Sequence, residues 1–245
     1  MKDGSQIMSN RRIVLLDLDG TTVESDPGIL ASVKLTFEHF GKELPSADEL
    51  QTFIGPPLLD SFSTHGFEDN AQDAVDFFRE SYTKPYFDDP QSPGQLIPGL
   101  YLSRMYFGYL GQLQKLREAG YVLAVATAKP QTEAIRLCQH IDMEYLVTGI
   151  YGASEGSDTS RLHKSEVIAY AFEKLNYDES AGDRAVMVGD RWTDIDGAHD
   201  NNIPAIGAGW GYAAPGEFEE HNCDAIAQTV DDLLDTVNDV FAKMD

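Results

Sequence analysis

The stretch Ile13-Val-Leu-Leu-Asp17-Leu-Asp19-Gly20-Thr21-Thr22 decides the fold of this chain. An apolar run that ends in a carboxylate and a glycine is typical of a buried parallel strand followed by a loop. Similar apolar runs occur at 121–126, 185–188 and 203–206, and a shorter one at 225–227. Because helical patterns lie between these runs, the sequence predicts an α/β fold in which helices cover both faces of a parallel sheet.

The stretch 23–97 differs, because it contains no continuous β-branched run. It has the pattern of several helices, and Asp26-Pro27 and Ser46 are typical of helix N-terminal caps. The prolines and glycines between Pro90 and Gly99 are typical of a linker that returns to the sheet. We therefore predict a core of residues 10–22 and 98–245 and an all-helical inserted domain at 23–97.

The charge balance is strongly acidic, with 41 Asp and Glu against 18 Lys and Arg and a net charge of −23. Such a surface disfavours nucleic acid and anionic membranes as partners. It also means that any site for an anion needs local positive charge. No apolar stretch is long enough to span a bilayer, and the polar N-terminus lacks the apolar core of a signal peptide, so we expect a cytoplasmic protein.

The first motif places Asp17 and Asp19 two residues apart on the turn after the first strand. Ligands of open α/β sheets bind beyond the carboxyl ends of strands, and Gly20 lets the backbone approach a ligand closely. One carboxylate can attack phosphorus to form an aspartyl-phosphate, and the other can protonate the leaving group and then activate water. The pattern therefore favours phosphoryl transfer over a simple polar turn.

Three further motifs carry residues that suit the same chemistry. Thr127 ends the second strand, Lys164 begins a helix, and Asp190 and Asp194 follow the third strand. A hydroxyl near a helix N-terminus suits a phosphate oxygen, and hard carboxylate oxygens suit Mg²⁺. We expect Asp190 to bind Mg²⁺ directly and Asp194 to bind it through water. Taken alone, Thr127 is also explained as a helix cap, and Lys164 as a surface lysine.

Together these residues resemble the four signature motifs of the haloacid dehalogenase superfamily. The resemblance implies a Rossmann-like core, and the helical insert resembles the cap domain of one large branch of that superfamily. Further stretches are similar to the phosphoglycolate phosphatase-like subgroup; they are Phe53-Ile-Gly-Pro-Pro-Leu58, Arg161-x-x-Lys164, Gly189-Asp-Arg191 and Trp210-Gly-Tyr212. The segment 98–111 is longer and more aromatic than the usual linker of that subgroup.

The resemblance also implies roles for individual residues. It implies a Mg²⁺-dependent phosphatase in which Asp17 is the nucleophile and Asp19 the general acid and base. Mg²⁺ would be bound by Asp17, by the backbone carbonyl of Asp19 and by Asp190. The residues expected to bind the substrate are Gly20, Thr127, Ala128 and Lys164 in the core and Gly55 and Pro56 in the cap.

Several alternatives stay open at this point. Phosphoglycolate is the first substrate that the resemblance suggests, and a nucleoside 5′-monophosphate, as in a 5′-nucleotidase, is the second. A sugar phosphomutase would use the same residues, and a phosphonatase would need a cap lysine such as Lys34 or Lys42. A phosphate-binding protein without catalysis is disfavoured, because Asp17, Asp19 and Asp190 are all present. We expect a small phosphorylated metabolite as the partner, neither nucleic acid nor membrane, and a monomer or homodimer.

Overall fold

The computed structural model describes residues 10–54 and 58–244. The predicted substrate-binding residues Gly55 and Pro56 therefore lie outside the described residues. The chain divides into two compact units. A core unit comprises the chain up to Val23 and from Met105 onward, and a second unit comprises Glu24–Arg104. Among the described helices, none combines the length and the apolar character that crossing a bilayer requires.

Strands and helices alternate through most of the core unit, and the elements of both units are numbered together in chain order. In chain order the strands are β1 (Arg12–Leu16), β2 (Val23–Glu24), β3 (Phe87–Asp88), β4 (Leu96–Ile97), β5 (Arg104–Met105), β6 (Val122–Pro130), β7 (Ile150–Ala153), β8 (Arg184–Gly189), β9 (Ala205–Ala208) and β10 (Ala225–Ala227). The α-helices are α1 (Asp26–His39), α2 (Ala47–Gln51), α3 (Leu58–Thr64), α4 (Ala71–Thr83), α5 (Tyr109–Glu118), α6 (Gln131–His140), α7 (Lys164–Leu175), α8 (Trp192–Asp200), α9 (Glu217–Glu220) and α10 (Leu233–Met244).

The core unit is built on a six-stranded sheet in the order β10-β9-β8-β1-β6-β7, and every neighbouring pair is parallel. The central strand β1 pairs with β6 on one side and β8 on the other. Its last residue, Leu16, is opposite Val125 of β6 and Val188 of β8. The polar residues that follow these three strands therefore meet at one edge of the sheet. The predicted parallel α/β core is confirmed.

Apolar side chains of β1 explain why this strand lies at the centre. Ile13 and Leu15 are fully buried in a cluster with Val167 and Ile168 of α7 and with Ile195 of α8. A strand covered on both faces reads as a continuous apolar run rather than as an alternating one, which is what residues 13–16 show. The same packing holds the N-terminal ends of α7 and α8 near the edge of the sheet where β1 ends.

The second unit is mainly helical and has its own aromatic core. Phe37 of α1 lies 6.0 Å from Phe53, 6.1 Å from Phe62 and 5.0 Å from Phe67, measured between ring centroids. Two features were not predicted from the sequence. One is the short antiparallel pair of β3 and β4, of which β3 lies just before the predicted linker and β4 within it. The other is a 3₁₀ helix, Gly99–Leu102, that packs against α1.

The return to the core comes later than the predicted residue 97. A Cβ atom on Gly28 of α1 would lie 2.1 Å from the carbonyl oxygen of Gly99, so the two backbones are in direct contact. This close packing keeps the 3₁₀ helix within the second unit, which ends at Arg104. The core unit also contains an edge strand, β7, that was not predicted, because its sequence has no strong apolar run.

Candidate active site

The loop after β1 brings Asp17 and Asp19 to the edge of the sheet. The amide of Asp17 donates to the carbonyl of Val188, and its carbonyl accepts a 2.6 Å hydrogen bond from the hydroxyl of Thr22. Gly20 turns the chain with a φ of +76°, and a Cβ atom there would lie 2.0 Å from Oδ2 of Asp190. Only glycine combines this backbone conformation with such a close approach.

Asp190 follows β8 and is completely buried. Its Oδ1 accepts a 3.0 Å hydrogen bond from the hydroxyl of Thr21, and its Oδ2 accepts a 2.8 Å bond from the amide of Tyr212. These are two neutral donors, and among the described residues no cation pairs directly with this carboxylate. Burial, reinforced by the charges of Asp194 and Asp17, raises the pKa of Asp190 well above its ordinary value.

Asp194 lies in the first turn of α8 and is also buried. Its Oδ2 accepts a 3.1 Å hydrogen bond from the amide of Arg191. Gly189 makes room for it, because a Cβ atom at that position would lie 2.1 Å from the carboxyl carbon of Asp194. Burial raises the pKa of Asp194 to about 6, although the positive charge of Lys164 acts to lower it.

Lys164 is a buried residue and not a surface lysine. Its Nζ lies 2.8 Å from Oδ1 of Asp17, 2.6 Å from Oδ1 of Asp194 and 3.2 Å from the carbonyl oxygen of Ala126. Burial by itself would lower the pKa of this lysine, but the two carboxylates outweigh it and raise the pKa above its ordinary value. The carboxylate of Glu166 accepts hydrogen bonds from the amides of Leu162 and His163, which fixes the start of α7.

These side chains leave an uncompensated negative charge at the site. One oxygen each of Asp17, Asp190 and Asp194 lie within 4.8 Å of one another, and all three residues are buried. Within residues 10–54 and 58–244, the ion pairs of these three carboxylates are those of Asp17 and Asp194 with the ammonium group of Lys164. Buried charges are costly unless they are paired, so the cluster favours either bound protons or a cation.

The cluster fits a hard divalent cation. Carboxylate oxygens are the ligands that Mg²⁺ takes, and two negative charges remain after the lysine is counted. In the described part of the chain, Oδ1 of Asp17 and Oδ1 of Asp194 have no polar partner other than that lysine. The residues of this cluster that could hold Mg²⁺ are therefore Asp17, Asp190 and Asp194, and the resemblance of the motifs adds the carbonyl of Asp19 as an expected ligand.

The end of β6 supplies the residues expected to hold a phosphoryl group. Thr127 is buried, and its Oγ1 accepts a 3.2 Å hydrogen bond from the amide of Lys129, whereas Ala128 is exposed. Helix α6 begins at Gln131, so the helix N-terminus expected after Thr127 is present. Strand β6 is longer than predicted, because it continues to Pro130 and pairs there with Ala153 of β7.

Lys129 is a site residue that the sequence reasoning missed. Its side chain is 5% exposed, and its Nζ lies 3.1 Å from Oδ2 of Asp19. Lys129 with Asp19 thus joins Lys164 with Asp17 and Asp194, so that the described site contains three lysine–aspartate contacts. A lysine within an otherwise apolar strand was the signal available in the sequence.

The pH dependence of stability follows from the raised pKa values of Asp190 and Asp194. A raised pKa in the folded state stabilises the protein fully below the ordinary carboxyl pKa of about 4, and this contribution is lost as the pH rises through the raised value. We therefore expect the metal-free protein to lose stability between about pH 4 and pH 7, and Asp190→Asn to reduce that loss. Urea unfolding in EDTA measures this.

Mg²⁺ should reverse the effect at neutral pH, because it binds the ionised carboxylates. The wild type should gain stability on addition of Mg²⁺, and Asp190→Asn should not. Asp239→Asn, which changes an exposed carboxylate of α10, should behave as the wild type does. Equal pH dependence and equal response to Mg²⁺ in wild type and Asp190→Asn would contradict this interpretation of the cluster.

Comparison with known proteins agrees with this arrangement. The family model of the haloacid dehalogenase-like hydrolases matches residues 14–208, a range that includes all the core residues described above from Asp17 to Asp194. A 5′-nucleotidase of Pseudomonas aeruginosa is 33% identical over 85% of this chain and 87% of its own length. The tyrosine-protein kinase PtkA of Mycobacterium tuberculosis is 31% identical over 92% of this chain and 72% of its own length.

Two further proteins extend the comparison. A phosphoglycolate phosphatase of Mesorhizobium japonicum is 28% identical over 83% of this chain and 85% of its own length. The solved structure of a haloacid dehalogenase-like hydrolase of Streptococcus pneumoniae is similar with a TM-score of 0.76 at 27% identity, and the match covers 92% of this chain and 97% of that one. The resemblance seen in the motifs is confirmed, and the chain belongs to the haloacid dehalogenase-like hydrolase family.

Proposed function

We propose that this protein is a Mg²⁺-dependent phosphatase that hydrolyses small phosphate monoesters through an aspartyl-phosphate on Asp17. The observation that carries the proposal is the buried group of Asp17, Asp190 and Asp194 around Lys164 at one edge of the sheet. The relatives named 5′-nucleotidase and phosphoglycolate phosphatase support the same reaction class.

In the first step, a carboxylate oxygen of Asp17 attacks phosphorus and the bond from phosphorus to the ester oxygen breaks. Asp19 gives its proton to that oxygen, which leaves as an alcohol. The contact of Lys129 with Asp19 holds this carboxyl in one orientation. Lys164 lies against Asp17, and the hydroxyl of Thr127 and the amide of Ala128 offer donors for the phosphoryl oxygens.

In the second step, water attacks the phosphorus of the aspartyl-phosphate. Its proton passes to Asp19, the bond between phosphorus and the Asp17 oxygen breaks, and inorganic phosphate leaves. Bound Mg²⁺, held by Asp17, Asp190 and the carbonyl of Asp19, would supply charge neutralisation for the phosphoryl group. Asp194 keeps Lys164 beside Asp17.

The overall charge supports a small substrate. With a net charge of −23, most of the surface repels anions, and the local cations Lys129 and Lys164 lie within the site itself. We propose a small phosphorylated metabolite as the partner, a cytoplasmic location, and no role for nucleic acid or membranes. The oligomeric state stays a prediction of monomer or homodimer.

The first test of this function is phosphate release from an aryl phosphate, with Mg²⁺ and with EDTA. Asp17→Asn should lower the turnover number at least about a thousandfold, because an amide is a poor nucleophile. Lys164→Met should lower it about a hundredfold, because the cation beside the nucleophile is lost. Turnover by Asp17→Asn near the wild-type rate would contradict the mechanism.

Lys174→Met is the matched control, because Lys174 lies in the same helix but is exposed, where it pairs with Glu173 and lies over the ring of Tyr170. It should retain full activity. Melting temperatures of all three variants, measured with Mg²⁺, separate a loss of chemistry from a loss of fold.

A nucleoside 5′-monophosphate is a second candidate substrate, favoured by a groove in the core unit. This groove has a volume of about 410 Å³, and it reaches the candidate phosphate-binding residues Ala128 and Lys164. Two exposed apolar side chains, Leu162 and Trp192, line it. An exposed indole beside a phosphate site suits a planar ring, because every base has a face that stacks on an aromatic side chain.

If the groove binds a base, Trp192→Ala should raise the KM for adenosine 5′-monophosphate about tenfold, since stacking of a base is lost. The KM for phosphoglycolate, which has no ring, should not change. Tyr145→Ala, which removes an exposed aromatic ring elsewhere in the core unit, serves as the control. An equal effect of Trp192→Ala on both substrates would exclude the groove as a base site.

A further inference from the structure

The aromatic segment at 98–111 has no part in the mechanism above, yet its last portion lies against the active-site loop. Tyr109 is the first residue of α5 and is fully buried. Its ring lies 6.1 Å from that of Trp210, and the ring of Tyr106 lies 6.5 Å from the same indole. These three aromatic residues belong to the core unit and form one cluster.

The cluster holds the backbone of the loop that carries the nucleophile. The indole Nε1 of Trp210 donates a 2.9 Å hydrogen bond to the carbonyl of Thr21. The amide of Tyr106 donates a 3.1 Å bond to the carbonyl of Thr22. The hydroxyl of Thr22 in turn donates to the carbonyl of Asp17. Two consecutive residues of the loop are therefore fixed by the aromatic cluster, and the second of them fixes the peptide of the nucleophile.

We propose that Trp210 is a positioning residue of the active site, because its indole N–H fixes the loop at Thr21, next to the residue whose hydroxyl holds the peptide of Asp17. This inference rests on the proposed function, because it assigns Asp17 as the nucleophile. Trp210 exchanges no proton with the substrate. Its effect is on the direction in which the Asp17 carboxylate points.

The test compares Trp210→Phe with the wild type in turnover of an aryl phosphate with Mg²⁺. A positioning role predicts that Trp210→Phe lowers kcat about tenfold, because small misplacements of a reacting group are costly. KM should not change.

Tyr121→Phe is the matched control, because the Tyr121 hydroxyl donates a 2.7 Å hydrogen bond to Asn238 of α10, away from the loop. It should lower the melting temperature and leave kcat unchanged. Wild-type kcat in Trp210→Phe, or a loss of kcat in Trp210→Phe that only follows a loss of stability, would overturn the positioning role. A wild type without turnover would instead contradict the proposed function.

Hydrogen exchange gives a readout that does not depend on activity. The amides of Thr21, Thr22 and Val23 donate to the carbonyl of Leu18, so they report on the order of the loop. These amides should exchange faster in Trp210→Phe than in the wild type or in Tyr121→Phe. Unchanged protection of the loop in Trp210→Phe would also overturn the proposal.

Discussion

The structure depends most on one buried ammonium group, that of Lys164, held between the carboxylates of Asp17 and Asp194. A third carboxylate, Asp190, lies in the same cluster and has only neutral donors. Burying three carboxylates against one lysine is unfavourable for the fold, and proteins accept such costs mainly at functional sites. The imbalance bears on the proposed chemistry, because a site short of positive charge favours a divalent cation, and the proposed mechanism uses such a cation to neutralise a phosphoryl group.

The parallel sheet makes this cluster possible from residues that are far apart in the chain. Strands β1, β6 and β8, which position Asp17, Thr127 and Asp190, are neighbours in the sheet, and Leu16, Val125 and Val188 just before these residues lie at the same level. Tight packing then brings the side chains into contact. Gly20 and Gly189 lie so close to the carboxylates of Asp190 and Asp194 that no side chain could be added at either position without displacing them. The geometry of the site is therefore fixed by backbone contacts as much as by charge.

Much of this could be predicted from the sequence, because each motif is local. An apolar run that ends in Asp17 or Asp190 predicts a buried strand and places the carboxylate at the end of that strand. The contact of Lys129 with Asp19 and the aromatic cluster around Tyr109 could not be predicted, because they depend on which strands and loops become neighbours in the fold. The short strands β3, β4 and β7 were also missed, since they carry no long apolar run. The predicted cap residues Gly55 and Pro56 lie outside the described residues, so their part in substrate binding stays a prediction.

The central claim is that Asp17 becomes phosphorylated during turnover. The most direct measurement is mass spectrometry of enzyme that is mixed with substrate and Mg²⁺ and quenched in acid within one turnover. The account predicts a peptide that contains Asp17 and carries the added mass of one phosphoryl group, in the wild type and not in Asp17→Asn. Rapid release of phosphate with no such peptide, or with the added mass on a different residue, would contradict the account.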